Sequence, residues 1–225
     1  PSNGKELTTI GPAGGNSSQV NDTAGDNSAQ GKALHNELTH FPKDPNCEVC
    51  RACKTARAHC RVKRENSTIL AKPAAFADSL TADHMIINDQ SKSRHKDRNI
   101  CVIMDRFTRY TKGFPAPRKT AEETMKAFRS FLGPYEQAKH VYTDNSKEFK
   151  LALQELKFIH DTSTPHRPQT NGIAERAVRR VKEGTSCALH QSGLTDKWWK
   201  PAMKCFCFLH NVVTLMTHGK TAYVK

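Results

Sequence analysis

The sequence predicts an α/β fold over residues 75–225, a mixed five-stranded sheet flanked by helices. Two observations carry this. From Phe76 onward apolar runs recur with turn signals between them, and the first three follow one another with no helix between, as in an antiparallel meander. After Thr120 helical periodicity alternates with short β-branched runs, which gives the order βββαβαβαα.

The strands are read at FADSLTADHMII, NICVIMD, RYTKGFPA, KHVYTD and, more weakly, KFIHD. Between the third and fourth, TAEETMKAFRSFL is a helix: Thr120 and Glu123 have capping-box spacing, and Met125, Phe128 and Leu132 share a face. Ser146 is expected to cap the next helix, where Phe149, Ala152, Leu153 and Leu156 keep the i, i+3, i+4, i+7 pattern. STPHRPQTN is an irregular loop, and IAERAVRRVKEGTSCALH a long helix. A last helix is expected from Asp196 to Leu215 with Thr195 as cap, although Pro201 should kink it or push its start later.

Ahead of this domain, residues 1–33 have few large apolar side chains and are expected to be a disordered linker. Residues 34–74 hold a run of His and Cys followed by basic side chains. Neither end resembles a natural terminus, so the chain is expected to be a fragment, truncated within the C-terminal part of the core.

Lys and Arg total 35 against 22 Asp and Glu, a formal charge of +13, which favours a polyanionic partner, nucleic acid first. Eight cysteines in a chain whose start has no apolar leader fit a reducing, intracellular setting better than a disulfide framework. The apolar stretches are too short and too interrupted to span a membrane.

Three acids fall where chemistry can be built: Asp83 within the first strand, Asp144 at the end of the fourth and Glu175 one turn into the long helix. Convergent carboxylates on rigid elements suit Mg²⁺, which takes oxygen ligands and substrate phosphates. Taken singly, each has a plainer explanation, as a solvent-facing strand residue, a turn residue before Asn145 and a dipole-favoured first-turn residue.

Their context is what weighs against the plain explanation. VYTDNSKEF, followed by DTSTPHRPQTNGIAERAVRRVKEGT, resembles the second-Asp and Glu motifs of retroviral and LTR-retrotransposon integrases, DDE transferases with a ribonuclease H-like fold. VIMDRFTRY is similar to that family's second strand and TAEET to its first core helix, so the resemblance runs from about Phe76 to about Val213. It implies that Asp144 and Glu175 bind metal together with Asp83, chosen over Asp78 and Asp89 for its distance from Asp105, which is then structural. It also implies Mg²⁺ (or Mn²⁺) chemistry: 3′-end processing by water, then strand transfer by the freed 3′-hydroxyl, without a covalent enzyme intermediate. The family departs here in one respect, since only thirty residues separate Asp144 from Glu175.

The resemblance also draws attention to His35, His40, Cys47 and Cys50, spaced H-x4-H-x6-C-x2-C, upstream of the core where integrases carry an HHCC zinc module. The gap between His40 and Cys47 is too short for a three-helix module, so a small Zn²⁺ knuckle is expected, with Cys53, His59 and Cys60 as substitute ligands. For DNA, Asn145, Arg167, Gln169 and Asn171 lie in or before the loop ahead of the long helix, and Arg176, Arg179, Arg180 and Lys182 follow Glu175 on it. His166 in the same loop is a weaker candidate for a general base. Arg51, Lys54, Arg57, Arg61, Lys63 and Arg64 form a second basic stretch. The resemblance further implies element-end and target DNA as partners, self-association, a place in a longer polyprotein, and a nuclear, cytoplasmic or virus-like-particle location. Two alternatives stay open: a non-catalytic nucleic-acid-binding remnant of a mobile element, and a ribonuclease H-like nuclease.

Overall fold

The computed structural model describes residues 34–54, 72–163, 172–216 and 219–224. The expected linker over 1–33, the cations Arg57, Arg61, Lys63 and Arg64, the substitute ligands His59 and Cys60, and the loop residues His166, Arg167, Gln169 and Asn171 lie outside them.

Strands β1 (Leu80–Ile86), β2 (Asn99–Asp105) and β3 (Thr111–Ala116) form the antiparallel meander. β4 (His140–Thr143) then pairs parallel with β1, and β5 (Ile159–Thr162) parallel with β4, giving the order β3-β2-β1-β4-β5. Helices α2 (Ala121–Leu132) and α3 (Lys147–Glu155) cover one face, and α4 (Gly172–Ser192) and α5 (Trp199–Val213) the other. A short helix α1 (Glu48–Cys53) lies against α4.

The alternation along β2 explains the two layers. Cys101 and Ile103 join Leu80, Ala82, Val141, Phe128, Phe131, Phe149 and Leu153 in one core, while Ile100, Val102 and Met104 join Val181, Trp199, Met203 and Phe206 in the other. All seven β2 residues are buried, as befits a strand covered on both faces. A methyl group at Gly184 of α4 would overlap the Phe206 ring, so glycine there is what lets α5 come close. β5 has the opposite character: it is an edge strand with Ile159 68% exposed, which is why its apolar signal is weak.

Several boundaries differ from expectation for identifiable reasons. Residues 75–79 form a turn instead of the start of β1: the Asp78 carboxylate accepts from the Ala74 and Ala75 amides at 2.9 and 2.7 Å, and Ala77 is left-handed at φ 65°. Thr120 does cap α2, accepting from Glu123 N at 3.2 Å, but the Glu123 carboxylate turns to Lys126 instead of completing the box. Ser146 occupies the N-cap of α3 without a side-chain cap bond; its amide donates to Asp144 Oδ1 at 3.2 Å, so the aspartate supplies the turn. Thr195 likewise makes no side-chain cap. Residues Asp196–Trp198 form a 3₁₀ turn and α5 starts at Trp199, so that Pro201 falls in the first turn, where its missing N–H costs nothing. Among the described residues no helix is long and apolar enough to cross a membrane.

Candidate functional site

Strand register brings the first two acids level. β1 and β4 pair in parallel with Leu80 opposite Val141 and Thr81 opposite Tyr142, and two further steps along this register put Asp83 beside Asp144. Crevices at the carboxyl ends of parallel strands are where open α/β sheets place ligands. α4 crosses β1 and β2 and carries Glu175, exposed, in its first turn.

Both other acids act electrostatically on Asp83. Burial first, and then the negative charges of Asp144 and Glu175, push its carboxyl up to about 6; the hydrogen bond from its own neighbour's amide, His84 N at 2.7 Å, and the charge of Lys119 work the other way. Three carboxylates with one lysine to temper them form a donor set that a hard cation would neutralise. The alternatives on the same strand pattern are engaged elsewhere. Asp78 holds its turn and pairs with Lys139 at 2.7 Å, and Asp89 pairs with Lys92 and Arg98 at 3.3 and 2.7 Å. Asp105 is fully buried and accepts from Ala77 N at 3.1 Å and from the amide and hydroxyl of Thr108 at 2.7 Å, an internal tie with no room for a ligand.

Two histidines beside these acids were not singled out from sequence. His84 packs at 4.2 Å on Phe149 and its Nε2 meets the Thr124 hydroxyl at 3.2 Å; burial, and then Lys119, hold it down to about 4, so it is neutral near pH 7. His160 of β5 places Nε2 2.8 Å from the Thr143 hydroxyl. The signal that could have found them is their adjacency in sequence or pairing to Asp83 and Asp144, which only the strand register reveals.

Of the expected DNA contacts, Asn145, Arg176, Arg179 and Lys182 are exposed. Arg180 is placed differently, its guanidinium 4.8 Å over the Phe41 ring, against the segment that precedes α1.

That segment holds the second candidate centre. The ligand atoms of His35, His40, Cys47 and Cys50 all lie within 4.8 Å of one another. Tetrahedral zinc, with ligands at about 2.0–2.3 Å, spaces its donor atoms about 3.3–3.8 Å apart, so a small contraction suffices. Nε2 of His35 and of His40 are both buried without a hydrogen-bond partner, as unfilled ligand positions would be. Nδ1 of His35 meets the Pro42 carbonyl at 2.7 Å, which makes it the donor and frees Nε2 to ligate. Burial keeps His40 below the ordinary imidazole range, hence neutral, as ligation requires.

The knuckle has no core of its own, and α4 and α5 complete it. Phe41 packs edge-on to His210 at 5.6 Å, Thr214 donates to the buried Thr39 hydroxyl at 3.2 Å, Gln191 donates to the Glu37 carbonyl at 3.1 Å, and Cys53 donates to the Ser186 carbonyl at 3.6 Å. The Lys54 ammonium closes the segment onto the His40 carbonyl.

No family model matches the chain. Over 169 residues it is 28% identical to the Retrovirus-related Pol polyprotein from transposon RE2 of Arabidopsis thaliana. The chain is thus similar to retrotransposon Pol polyproteins. The match takes in 72% of the chain but only 11% of that relative's length. Among solved structures, a chain of the simian T-cell lymphotropic virus intasome shares the fold at TM-score 0.54 and 20% identity, over 79% of this chain and 62% of its own. The catalytic core domain of BIV integrase is also similar, at TM-score 0.49 and 20% identity, over 66% of this chain and 92% of its own. The five-stranded sheet with its flanking helices is thus a fold shared with that intasome chain.

Proposed function

We propose that this integrase-like core is an active polynucleotidyl transferase that processes and joins DNA ends with Asp83, Asp144 and Glu175. The observation that carries the proposal is the parallel register of β1 and β4, which sets Asp83 level with Asp144 while α4, crossing β1 and β2, carries Glu175. Asp83, Asp144 and Glu175 would hold Mg²⁺ or Mn²⁺, which when bound supplies charge neutralisation at the phosphodiester and an activated attacking oxygen. The chain's own part is positional. β1 and β4 hold two carboxylates on rigid strands, α4 brings the third, and neutral His84 adds no competing positive charge. Arg176, Arg179 and Lys182 hold the DNA backbone beside the acids, which keeps the scissile phosphate in line for attack. Water then cuts near the 3′ end, and the freed 3′-hydroxyl displaces a 3′-oxygen in the target strand. No side chain becomes covalently attached at either step.

The same reading assigns Zn²⁺ to His35, His40, Cys47 and Cys50, residues 34–74 to a metal-binding and basic segment, and residues 75–225 to the core. It also makes element-end and target DNA the partners, with self-association inside or after release from a longer polyprotein, in the nucleus, cytoplasm or a virus-like particle. A joining assay with oligonucleotide donors, plasmid target and Mg²⁺ or Mn²⁺ tests it: product from the wild type and none from Asp144→Asn is expected. DNA retained by both without product would make the chain a nucleic-acid-binding scaffold instead.

A further inference from the structure

His160 and Thr143 form a relay directly behind the second acid. The Thr143 hydroxyl, fully buried, donates to the main-chain carbonyl of Asp144 at 2.8 Å. A hydroxyl has one proton to give, so its contact with His160 Nε2 at 2.8 Å must be one in which the ring N–H donates and the hydroxyl oxygen accepts. The network thereby fixes the His160 tautomer with its proton on Nε2. Ser163 N donates to the Thr143 carbonyl at 2.9 Å, which holds the chain on the far side of the same residue.

The consequence for Asp144 is that its backbone and its carboxylate are tied separately. The carbonyl is held from β5 through Thr143, and Oδ1 is held by the Ser146 amide at 3.2 Å. Among the described residues no hydrogen bond goes to Oδ2, so that oxygen is the one left for a ligand. Beside the first acid, Thr124 donates to the Thr120 carbonyl at 2.8 Å and meets His84 Nε2 at 3.2 Å, a contact that ties α2 to β1 without reaching the Asp83 main chain. β5 is otherwise a poorly buried edge strand, with Ile159 68% exposed, and the reach of His160 to Thr143 adds a side-chain tie to the backbone ladder that joins it to β4.

We infer that His160, acting through the Thr143 hydroxyl, is a positioning residue that sets the main-chain turn at Asp144 and so aims its carboxylate at the divalent ion. This rests on the reading of Asp83, Asp144 and Glu175 as an ion site. Partners that orient a ligand in this way are typically worth about ten- to a hundredfold in metal affinity.

The test is Mn²⁺ binding by the full chain with Zn²⁺ present, read from the loss of the free Mn²⁺ resonance, together with melting midpoints. His160→Leu and Thr143→Val should each weaken binding at least about tenfold. His160→Gln, which keeps a donor near Nε2, and Thr143→Ser, which keeps the hydroxyl, should bind like the wild type. The relay is overturned if Leu and Val variants bind like the wild type while Asp144→Asn does not, or if Thr143→Ser loses as much as Thr143→Val. Equal binding by wild type and Asp144→Asn would sink the ion-site reading itself, and the relay with it. Should an apolar variant fail to fold, the conservative pair still decides, because a tenfold loss in either of them contradicts the relay.

Discussion

The two candidate metal centres are built in opposite ways. The His/Cys knuckle takes its four ligands from a single stretch between His35 and Cys50, and its donor atoms are already within 4.8 Å of one another. The carboxylate site takes Asp83, Asp144 and Glu175 from two strands and a helix, and the Asp83 carboxyl is raised by burial first and then by the charges of the other two. Neutral imidazoles and thiols can be gathered without a cation because nothing drives them apart; carboxylates cannot. The knuckle's ligands are therefore gathered from one stretch of chain backed by α4 and α5, while the acids are placed by strand register and a crossing helix.

The largest effect that tests this contrast is Asp144→Asn. An ion that supplies roughly 4 kcal/mol of transition-state stabilisation corresponds to about a thousandfold in rate, so joining activity should fall by that factor. The melting midpoint should hold or rise, since a like charge beside Asp83 is gone. A large drop in midpoint instead would mean that the acids are structural.

Cys50→Ser should do the reverse. Cys50 is fully buried in the knuckle, and its loss should cost about 2 kcal/mol and lower the midpoint by about 4–8 °C, with amide protection lost over residues 35–54. A chelator that strips zinc should reproduce the loss. Unchanged protection after both treatments would break the comparison.

Acid should pull the two centres apart. His210, against which Phe41 packs, is held down to about 3 by burial, with the Arg180 and Lys54 charges adding to it, against 6.5 for the free side chain. Its folded value is depressed, so between those limits the unfolded chain binds more protons, and stability is lost as the pH falls from 6.5 toward 3 at up to about 1.4 kcal/mol per pH unit. Asp83 has the opposite sign: its carboxyl is raised to about 6, so its repulsion is relieved as the pH falls through that value. Melting curves of wild type and His210→Phe between pH 7 and pH 4 check this, and equal slopes would refute it. Smallest of all, Phe41→Leu keeps an apolar side chain but removes the ring beneath Arg180 and beside His210, at a cost of about 1 kcal/mol. Protection should fall in the knuckle and not at β1 or β4.

The strands, the helices and the α/β order were legible because hydrophobic period survives in local sequence, as in NICVIMD, whose seven residues are β2. Pro201 likewise announced a later start for the last helix. The cap expected of Ser146 was not realised, its hydroxyl being buried without a partner, and the start of β1 moved because Asp78 gathered the Ala74 and Ala75 amides. His160 was invisible as a site residue, since nothing local to KFIHD says that β5 pairs with β4, whereas His84 was legible only as the neighbour of Asp83. Arg180 read as one of four cations along a helix, and its Phe41 partner lies far off in the chain.

By itself the sequence determined the element types, the motifs that point to divalent-ion chemistry and the ligand spacing of the knuckle, because all of these depend on neighbours a few residues apart. Only the tertiary structure showed that Asp78 and Asp89 are paired with Lys139, Lys92 and Arg98, which histidine meets the Thr143 hydroxyl, and that the knuckle is completed by α4 and α5. Those are matters of strand register and helix crossing, set by burying both faces of one sheet, and burial acts between residues that the chain keeps far apart.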